Sequence, residues 1–338
     1  MTYDVLVIGA GPVGLAVAVE ATRQGLTHVV VERGALANTL VHWPANTIFF
    51  STPELLEIGG LPFVASAVKP TRREGLVYYR KAAERYALNL KLYEEVVGVE
   101  RRGDFFHVTT SKGAYEARFV VVVTGFFDNP NLLGVPGEAL PKVSHYYREP
   151  FPYSGTDVLV VGGKNSAVEA ALDLYRNGAR VTMAVRRPAL GATVKYWLRP
   201  DIENRIKEGC IRALFETTVE EIPPSAVRLR RKGEPLEIAN DFVLALTGYH
   251  PDFAFLRKLG VDVTPEGQLV FDETTMETTV PGLYVAGVVA AGVHIGKLFI
   301  ENGRNHAVQV VAHVLARLGR APSSGVDPLA LRRFQDGD

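Results

Sequence analysis

The stretch "DVLVIGAGPVGLAVAV", residues 4–19, limits what this chain can fold into more than any other. Residues 4–8 read as a continuous apolar run, the mark of a parallel strand buried on both faces. Gly9, Gly11 and Gly14 follow in the spacing G-x-G-x-x-G. Gly9 permits a tight turn, Gly11 lets the backbone approach a pyrophosphate, and Gly14 lets helix and strand pack closely. The helix that follows, opened by Pro12, presents N–H groups and a positive dipole end to phosphates. A second strand, residues 28–31, ends at Glu32, placed to accept hydrogen bonds from a ribose diol and to repel a 2′-phosphate.

The chain carries the turn twice. In "VLVVGGKNSAVEAALDLY", residues 158–175, another buried strand (157–161) runs into Gly162 and Gly163, and then Lys164 stands where a further glycine belongs. A helix is predicted from about Ser166 to Asn177 and closed by Gly178, and the next strand covers residues 180–185. Where the first copy has Glu32, this one has Arg186 and Arg187, whose guanidinium groups suit a 2′-phosphate. The second copy therefore reads as the NADPH unit, over Gly162–Ala167. The first takes a dinucleotide without that phosphate, and one enzyme that needs both is most simply a flavoprotein passing NADPH electrons through FAD. Lys164 then lies beside phosphate or substrate as a cation, or is an exposed helix-start residue. Asn165 and Ser166 are expected to cap the helix and donate to phosphate oxygens.

Composition narrows the partners. The chain has 338 residues, enough for about two core-bearing domains. Lys+Arg and Asp+Glu balance at 37 each, so no overall field favours nucleic acid or an anionic membrane. With no long apolar span and no basic leader, the expectation is a soluble cytoplasmic protein. Cys210 is the single cysteine, so an internal disulfide and a cysteine metal cluster are both impossible within one chain. It reads as an incidental thiol at a turn into a strand.

Between the two copies, residues 91–119 alternate in short β-prone runs with hairpin signals at Gly103 and Lys112-Gly113. Three buried strands each end in a small polar or glycine turn: "FVVVVTGFFDNP" at Thr124 and Gly125, "DFVLALTGYHPD" at Thr247 and Gly248, and "PGLYVAGVVAAG" before Gly287. A single helix is predicted through residues 300–319.

Taken together, these pieces resemble the two-dinucleotide flavoprotein reductases of the thioredoxin-reductase type, over essentially the whole chain. The resemblance implies an α/β fold with two Rossmann-like dinucleotide-binding domains. An NADPH domain (151–248) is inserted in a FAD domain split between 1–150 and 249–320, a tail follows at 321–338, and the assembly is a homodimer. The usual Cys-x-x-Cys of the NADPH domain is missing. "GGKNSAVEAALDLYRNGA", "FFSTPELLEIG", "KYWLRPDIENRIKEG", "VAGVVAAG" and "FIENGR" look more narrowly like the bacillithiol disulfide reductase family, which reduces the disulfide of a low-molecular-weight thiol with NADPH and FAD. By that resemblance Lys164 belongs to the family's own turn, and Val288 stands where most flavoprotein reductases carry an aspartate for the FAD ribityl chain. Many members have Gly-Pro-Cys-Gly in the first turn; Val13 stands there. Either that cysteine is dispensable and the flavin acts more directly, or this branch reduces something else.

The alternatives are a reductase passing electrons to a small carrier protein such as ferredoxin or flavodoxin, or to a quinone, and a flavin-binding redox sensor. A monooxygenase would, by resemblance, carry Gly-x-x-x-His; Gly137 and His145 are spaced too widely for it. His42 and Trp43 lie on a loop expected near the flavin. His294, Lys297, Asn302 and Arg304 flank the start of the last helix, whose N-terminus is expected to point at the flavin N1 and C2 carbonyl. His306 and His313 read as core or surface positions. Of these, His42, His294, Lys297 and Arg304 are the catalytic candidates, and no metal site is expected.

Overall fold

The computed structural model describes residues 1–294, 296 and 298–323. The chain divides into two compact units, one of Met1–Val41, Thr47–Asn129 and the chain from His250 on, the other of His42–Asn46 and Pro130–Tyr249.

In the first unit the strand Thr2–Ile8 lies between His28–Val31 and Ala114–Val122, parallel to both. Its apolar run begins after Asp4, whose buried carboxylate is satisfied by the Thr27 N–H and hydroxyl, each at 2.9 Å. Val5 to Val7 are wholly buried, as a strand covered on both faces requires. The strand Ala114–Val122 serves two neighbours along one edge. Its first half pairs antiparallel with Phe105–Thr110, which in turn pairs with Val96–Arg102, so the hairpins form where Gly103 and Lys112-Gly113 place them. Its last three residues pair in parallel with Leu283–Val285, contributed from the far end of the chain.

The second unit repeats the plan. Asp157–Val161 lies between Arg180–Val185 and Phe242–Ala245, all parallel, with Arg212–Phe215 and Val143–Ser144 at the edges. Helices Asn165–Arg176 and Arg199–Lys207 cover one face through Val168, Leu172 and Ile202. A three-stranded antiparallel sheet covers the other through Val227 and Leu229.

The helix predicted through 300–319 is two helices, Ile300–Gly303 and His306–Arg317, with Arg304 and Asn305 between them. Two contacts fix the junction. A Cβ on Gly303 would lie 3.2 Å from the Gly287 Cα, so the chain hugs Gly287 there. Arg304 keeps helical backbone (φ −60°, ψ −26°), and its Nη1 donates to the carbonyls of Glu54 and Glu57, at 2.7 and 2.6 Å.

The two glycine turns differ in how tightly they are packed. A Cβ on Gly14 would sit 2.0 Å from the Gly9 carbonyl oxygen, which no adjustment short of moving the helix relieves. At the matching position of the second turn Ala167 is accommodated, its Cβ buried beside Gly162. Gly14→Ala should therefore destabilise the fold by about 3 kcal/mol through overpacking, whereas Ala167→Gly should lose about 1 kcal/mol of helix propensity. Urea denaturation of both variants checks the contrast; equal losses would refute it.

Candidate functional site

In each unit the parallel register brings several strand ends to one rim. In the first, Ile8 pairs with Val31 on one side and Val122 on the other, and Val122 pairs with Val285. The segments that leave these strands are Gly9–Gly14, Glu32, Thr124–Gly125 and Gly287–Val288, so the residues singled out from sequence converge at one carboxyl edge, where open α/β sheets bind ligands. Contacts between these segments close the rim. A Cβ on Gly9 would meet the Val123 carbonyl oxygen at 2.6 Å, one on Gly125 would lie 3.9 Å from Val288, and one on Gly287 would press Val13 at 3.1 Å. Above Gly11 there is open space, with nothing within 4 Å of an added Cβ. That is the cradle a pyrophosphate would fill.

Glu32 is half-buried, with Oε2 accepting the Ala10 N–H at 2.8 Å and Oε1 accepting the Gly34 N–H at 2.7 Å. Burial pushes its pKa up, against the pull of those two donors. Fixed this way, the carboxylate keeps further lone pairs for hydroxyl donors. The loop behind it folds back onto the turn, with the Ala37 N–H donating to the Ala10 carbonyl at 2.9 Å. Arg33 pairs with Asp128 at 2.7 Å and ties that loop to the segment after Gly125.

The second rim aligns Val161 with Ala184 and Ala245. Gly162 and Gly163 turn the chain into helix Asn165–Arg176, and Arg186 and Arg187 follow strand Arg180–Val185 with both side chains exposed. Lys164 occupies the N-cap in extended backbone (φ −109°, ψ −173°), much as Gly11 does in the first turn (φ −71°, ψ 175°). A lysine is thus free of backbone strain there. Neither fingerprint helix has a side-chain cap, which leaves first-turn N–H groups for another acceptor. This corrects the expectation for Asn165 and Ser166. The helix starts one residue early, at Asn165, and the Asn165 amide reaches sideways to Lys195 N and Thr193 O instead of capping. Ser166 is exposed.

Each described catalytic candidate has its own local partner. His42 ends the short helix Asn38–His42, and its Nδ1 lies 3.0 Å from Arg148 Nη2; because a guanidinium only donates, Nδ1 is the acceptor. His294 is exposed beside Gln268, at 3.0 Å. Arg304 is committed to the two carbonyls given above. Lys297 lies outside the described residues. Gly137, half of the loose monooxygenase signal, has a structural task, since a Cβ there would lie 1.9 Å from the Ile222 carbonyl oxygen. The helix expected to aim at the flavin has only four residues, and the Phe299 N–H at its start already donates to Asn302 Oδ1 at 2.7 Å. So short a segment sums little macrodipole. Cys210 is exposed at the turn before Arg212–Phe215, 3.8 Å from Glu208. Among the described residues no group of acidic, histidine or cysteine side chains is arranged to hold a metal, and no helix is long and apolar enough to cross a membrane.

One residue at the first rim was missed. His306 opens helix His306–Arg317, and its Nδ1 accepts the Gly287 N–H at 3.1 Å. In sequence it is one of two histidines in an amphipathic helix; only the return of the chain to Gly287 gives it a partner.

A family model described as pyridine nucleotide-disulphide oxidoreductase matches residues 6–287. The chain belongs to that family. It is a flavoprotein reductase, with FAD and NADPH as its cofactors. It is 42% identical over 315 residues to the bacilliredoxin reductase Bdr of Bacillus subtilis, covering 92% of this chain and 97% of that one. The bacillithiol disulfide reductase of Bacillus cereus has a solved structure that superposes with a TM-score of 0.92 at 40% identity, over 94% of this chain and 100% of that one. The ferredoxin–NADP reductase of Thermus thermophilus is 31% identical, over 93% of this chain and 92% of that one. These likenesses run through both units.

Burial pushes the His306 imidazole down to about 4. A base whose folded pKa lies below its free value loses stability as the pH falls through the free value, because the unfolded chain takes the proton first. Between pH 7 and pH 5 the protein should lose about 2 kcal/mol through this residue. His306→Asn keeps an acceptor for the Gly287 N–H and should remove that part of the pH dependence. Denaturant titrations at the two pH values compare them; parallel losses in wild type and variant would discount His306.

Proposed function

We propose that FAD lies along the first rim and NADPH along the second, and that the protein passes the electrons of NADPH to a low-molecular-weight thiol disulfide of the bacillithiol disulfide class. The observation that carries this reading is the contrast between two otherwise matched rims. Glu32, held by two backbone N–H groups, ends the second strand of one; the exposed Arg186 and Arg187 end that of the other. A carboxylate accepts from ribose hydroxyls and repels a 2′-phosphate, whereas guanidinium groups bind one.

When bound, FAD would supply two-electron chemistry, through which the hydride of NADPH and one proton from solvent cleave an S–S bond to two thiols and leave NADP+. The chain's own residues bind and orient. Gly9 and Gly14 bring helix Pro12–Arg23 close against its strand, so that its first-turn N–H groups meet the pyrophosphate. Thr124, Gly125, Gly287 and Val288 border the same cofactor, and Gly162, Gly163, Lys164 and Ala167 play the corresponding part for NADPH. With Cys210 the single cysteine, the chain has no thiol pair to relay electrons, and the disulfide has to meet the flavin itself. Val13, at the place of many relatives' cysteine, is buried against Gly287 and Gly303. The name of the relative at 40% identity, a bacillithiol disulfide reductase, supports the acceptor. The relative at 31%, a ferredoxin–NADP reductase, favours the second reading: a reductase for ferredoxin, flavodoxin or a quinone. We place the protein in the cytoplasm as a homodimer, on the family resemblance.

Anaerobic NADPH oxidation with bacillithiol disulfide, compared with ferredoxin and a quinone, tests the acceptor. Fast turnover of the disulfide is expected; a background rate with fast reduction of a one-electron carrier would establish the second reading instead. Replacing both Arg186 and Arg187 with alanine should raise the KM for NADPH by one or more powers of ten, since two charge-assisted bonds of roughly 1.5–3 kcal/mol each are lost, and should leave NADH nearly unchanged. Cys210→Ser should keep turnover within about threefold, because less than 1 kcal/mol of barrier rests on a group without a role. Loss of turnover with normal FAD content would mean that this thiol carries chemistry.

A further inference from the structure

After strand Arg180–Val185 and the arginine pair, the chain folds back across the second glycine turn. The Gly191 N–H donates to the Gly163 carbonyl at 2.7 Å. This repeats the bond from Ala37 to Ala10 in the first unit, and both donors lie six residues after the end of their strands, at Val185 and Val31. Beyond that point the units diverge. The first enters helix Asn38–His42, while the second continues along its own turn and is fastened there. Asn165 Oδ1 accepts the Lys195 N–H at 2.9 Å, and Asn165 Nδ2 donates to the Thr193 carbonyl at 3.2 Å. In the first unit the corresponding position is Pro12, which has no such amide.

Gly191 fits the crossing. A Cβ there would lie 3.2 Å from both the Gly163 carbonyl oxygen and Lys164 Cγ, so the Lys164 stem packs against it. Arg199 Nη2 holds the Gly191 carbonyl at 2.7 Å from the other side. Segment 191–195 is thus bound at both ends of its crossing, and the residue at its far end is a half-buried lysine. The Lys195 ammonium lies 5.7 Å from the Trp197 ring centre, and its charge opposes the upward push that burial gives Glu169, one helical turn past Asn165. Its backbone N–H bound to Asn165, the first residue of helix Asn165–Arg176, tethers Lys195 at the end of that helix that offers N–H groups to an anion.

We propose that Gly191–Lys195 is a strap over the NADPH turn, that Asn165 is the positioning residue that fastens it, and that Lys195 supplies a further cation to a phosphate of the bound dinucleotide. The proposal rests on NADPH occupying this rim. The phosphate is either the pyrophosphate or the 2′-phosphate, and comparing NADPH with NADH separates the two. It also gives Asn165 a task that neither a cap nor a direct phosphate donor performs.

The test uses the FAD-loaded enzyme with Asn165→Ala, Asn165→Asp and Lys195→Ala, alongside the double alanine variant of Arg186 and Arg187. Asn165→Ala should weaken NADPH binding about tenfold, the loss of two ordinary hydrogen bonds, with kcat at saturating NADPH within about twofold. Asn165→Asp, which keeps the acceptor for the Lys195 N–H but adds a negative charge at the turn, should resist trypsin better than Asn165→Ala while binding NADPH no more tightly. Trypsin should cut after Lys195 faster in Asn165→Ala than in wild type, and NADPH should protect the wild-type strap. Lys195→Ala weakening NADPH alone assigns the 2′-phosphate, and weakening NADPH and NADH equally assigns the pyrophosphate; either supports the strap. If the arginine variant loses NADPH affinity while Asn165→Ala and Lys195→Ala keep both affinity and protease resistance, the strap is refuted and the cofactor assignment stands. If the arginine variant also binds NADPH as wild type does, the assignment of this rim falls.

Discussion

Everything at the two rims depends on the parallel register of three neighbouring strands. Ile8 opposite Val31 and Val122, and Val161 opposite Ala184 and Ala245, fix where each loop departs. A slip of one residue would turn each strand's side chains to the opposite face and bury the wrong set. The strands are held by burial on both faces, which is why they are short runs of valine, leucine and isoleucine. Given that frame, the residues of the glycine turns set how near the helices come, and Glu32 in one unit and the pair Arg186 and Arg187 in the other set the charge each rim presents.

The duplicated frame therefore separates two tasks that a single sequence pattern would blur. The backbone plan is shared between the units down to the fold-back hydrogen bond, Ala37 to Ala10 and Gly191 to Gly163. Recognition is not. A half-buried, doubly hydrogen-bonded carboxylate and an exposed pair of guanidinium groups occupy matching positions, and in the proposed assignment they would discriminate between ligands by one phosphate. The carboxylate is rigid because desolvation would make a loose one costly; the arginines, in water, keep their charge without such support.

Much of this could be read from the chain because it is encoded locally. A buried strand, a glycine turn, a helix and a terminal acid or arginine pair lie within about thirty residues, the length of one βαβ unit. What could not be read depends on where distant segments return. Asn165 looks like a helix cap until segment 191–195 is found beside it. His306 looks like an ordinary helix residue until the Gly287 N–H is placed at its Nδ1, and Arg304 looks like a free cation until the carbonyls of Glu54 and Glu57 arrive. Gly303 gave a partial signal, since a glycine inside a predicted helix marks a close approach, and here it ends the helix.

The shared edge of Ala114–Val122 bears on how the chain is made. Its last three residues lack their outer partner until Leu283–Val285 emerges, more than 150 residues later along the sequence. The second unit contains its full parallel sheet by residue 245. During synthesis, which exposes the chain from its N-terminus at a limited rate, the inserted unit can finish its sheet while the unit that began first still has an open strand edge. An unpaired apolar edge invites association with other chains. Glu100, Arg101 and Arg102 charge the outer strand of the neighbouring hairpin, opposite Phe105, Phe106 and His107, whereas the waiting edge at Val120, Val121 and Val122 is apolar.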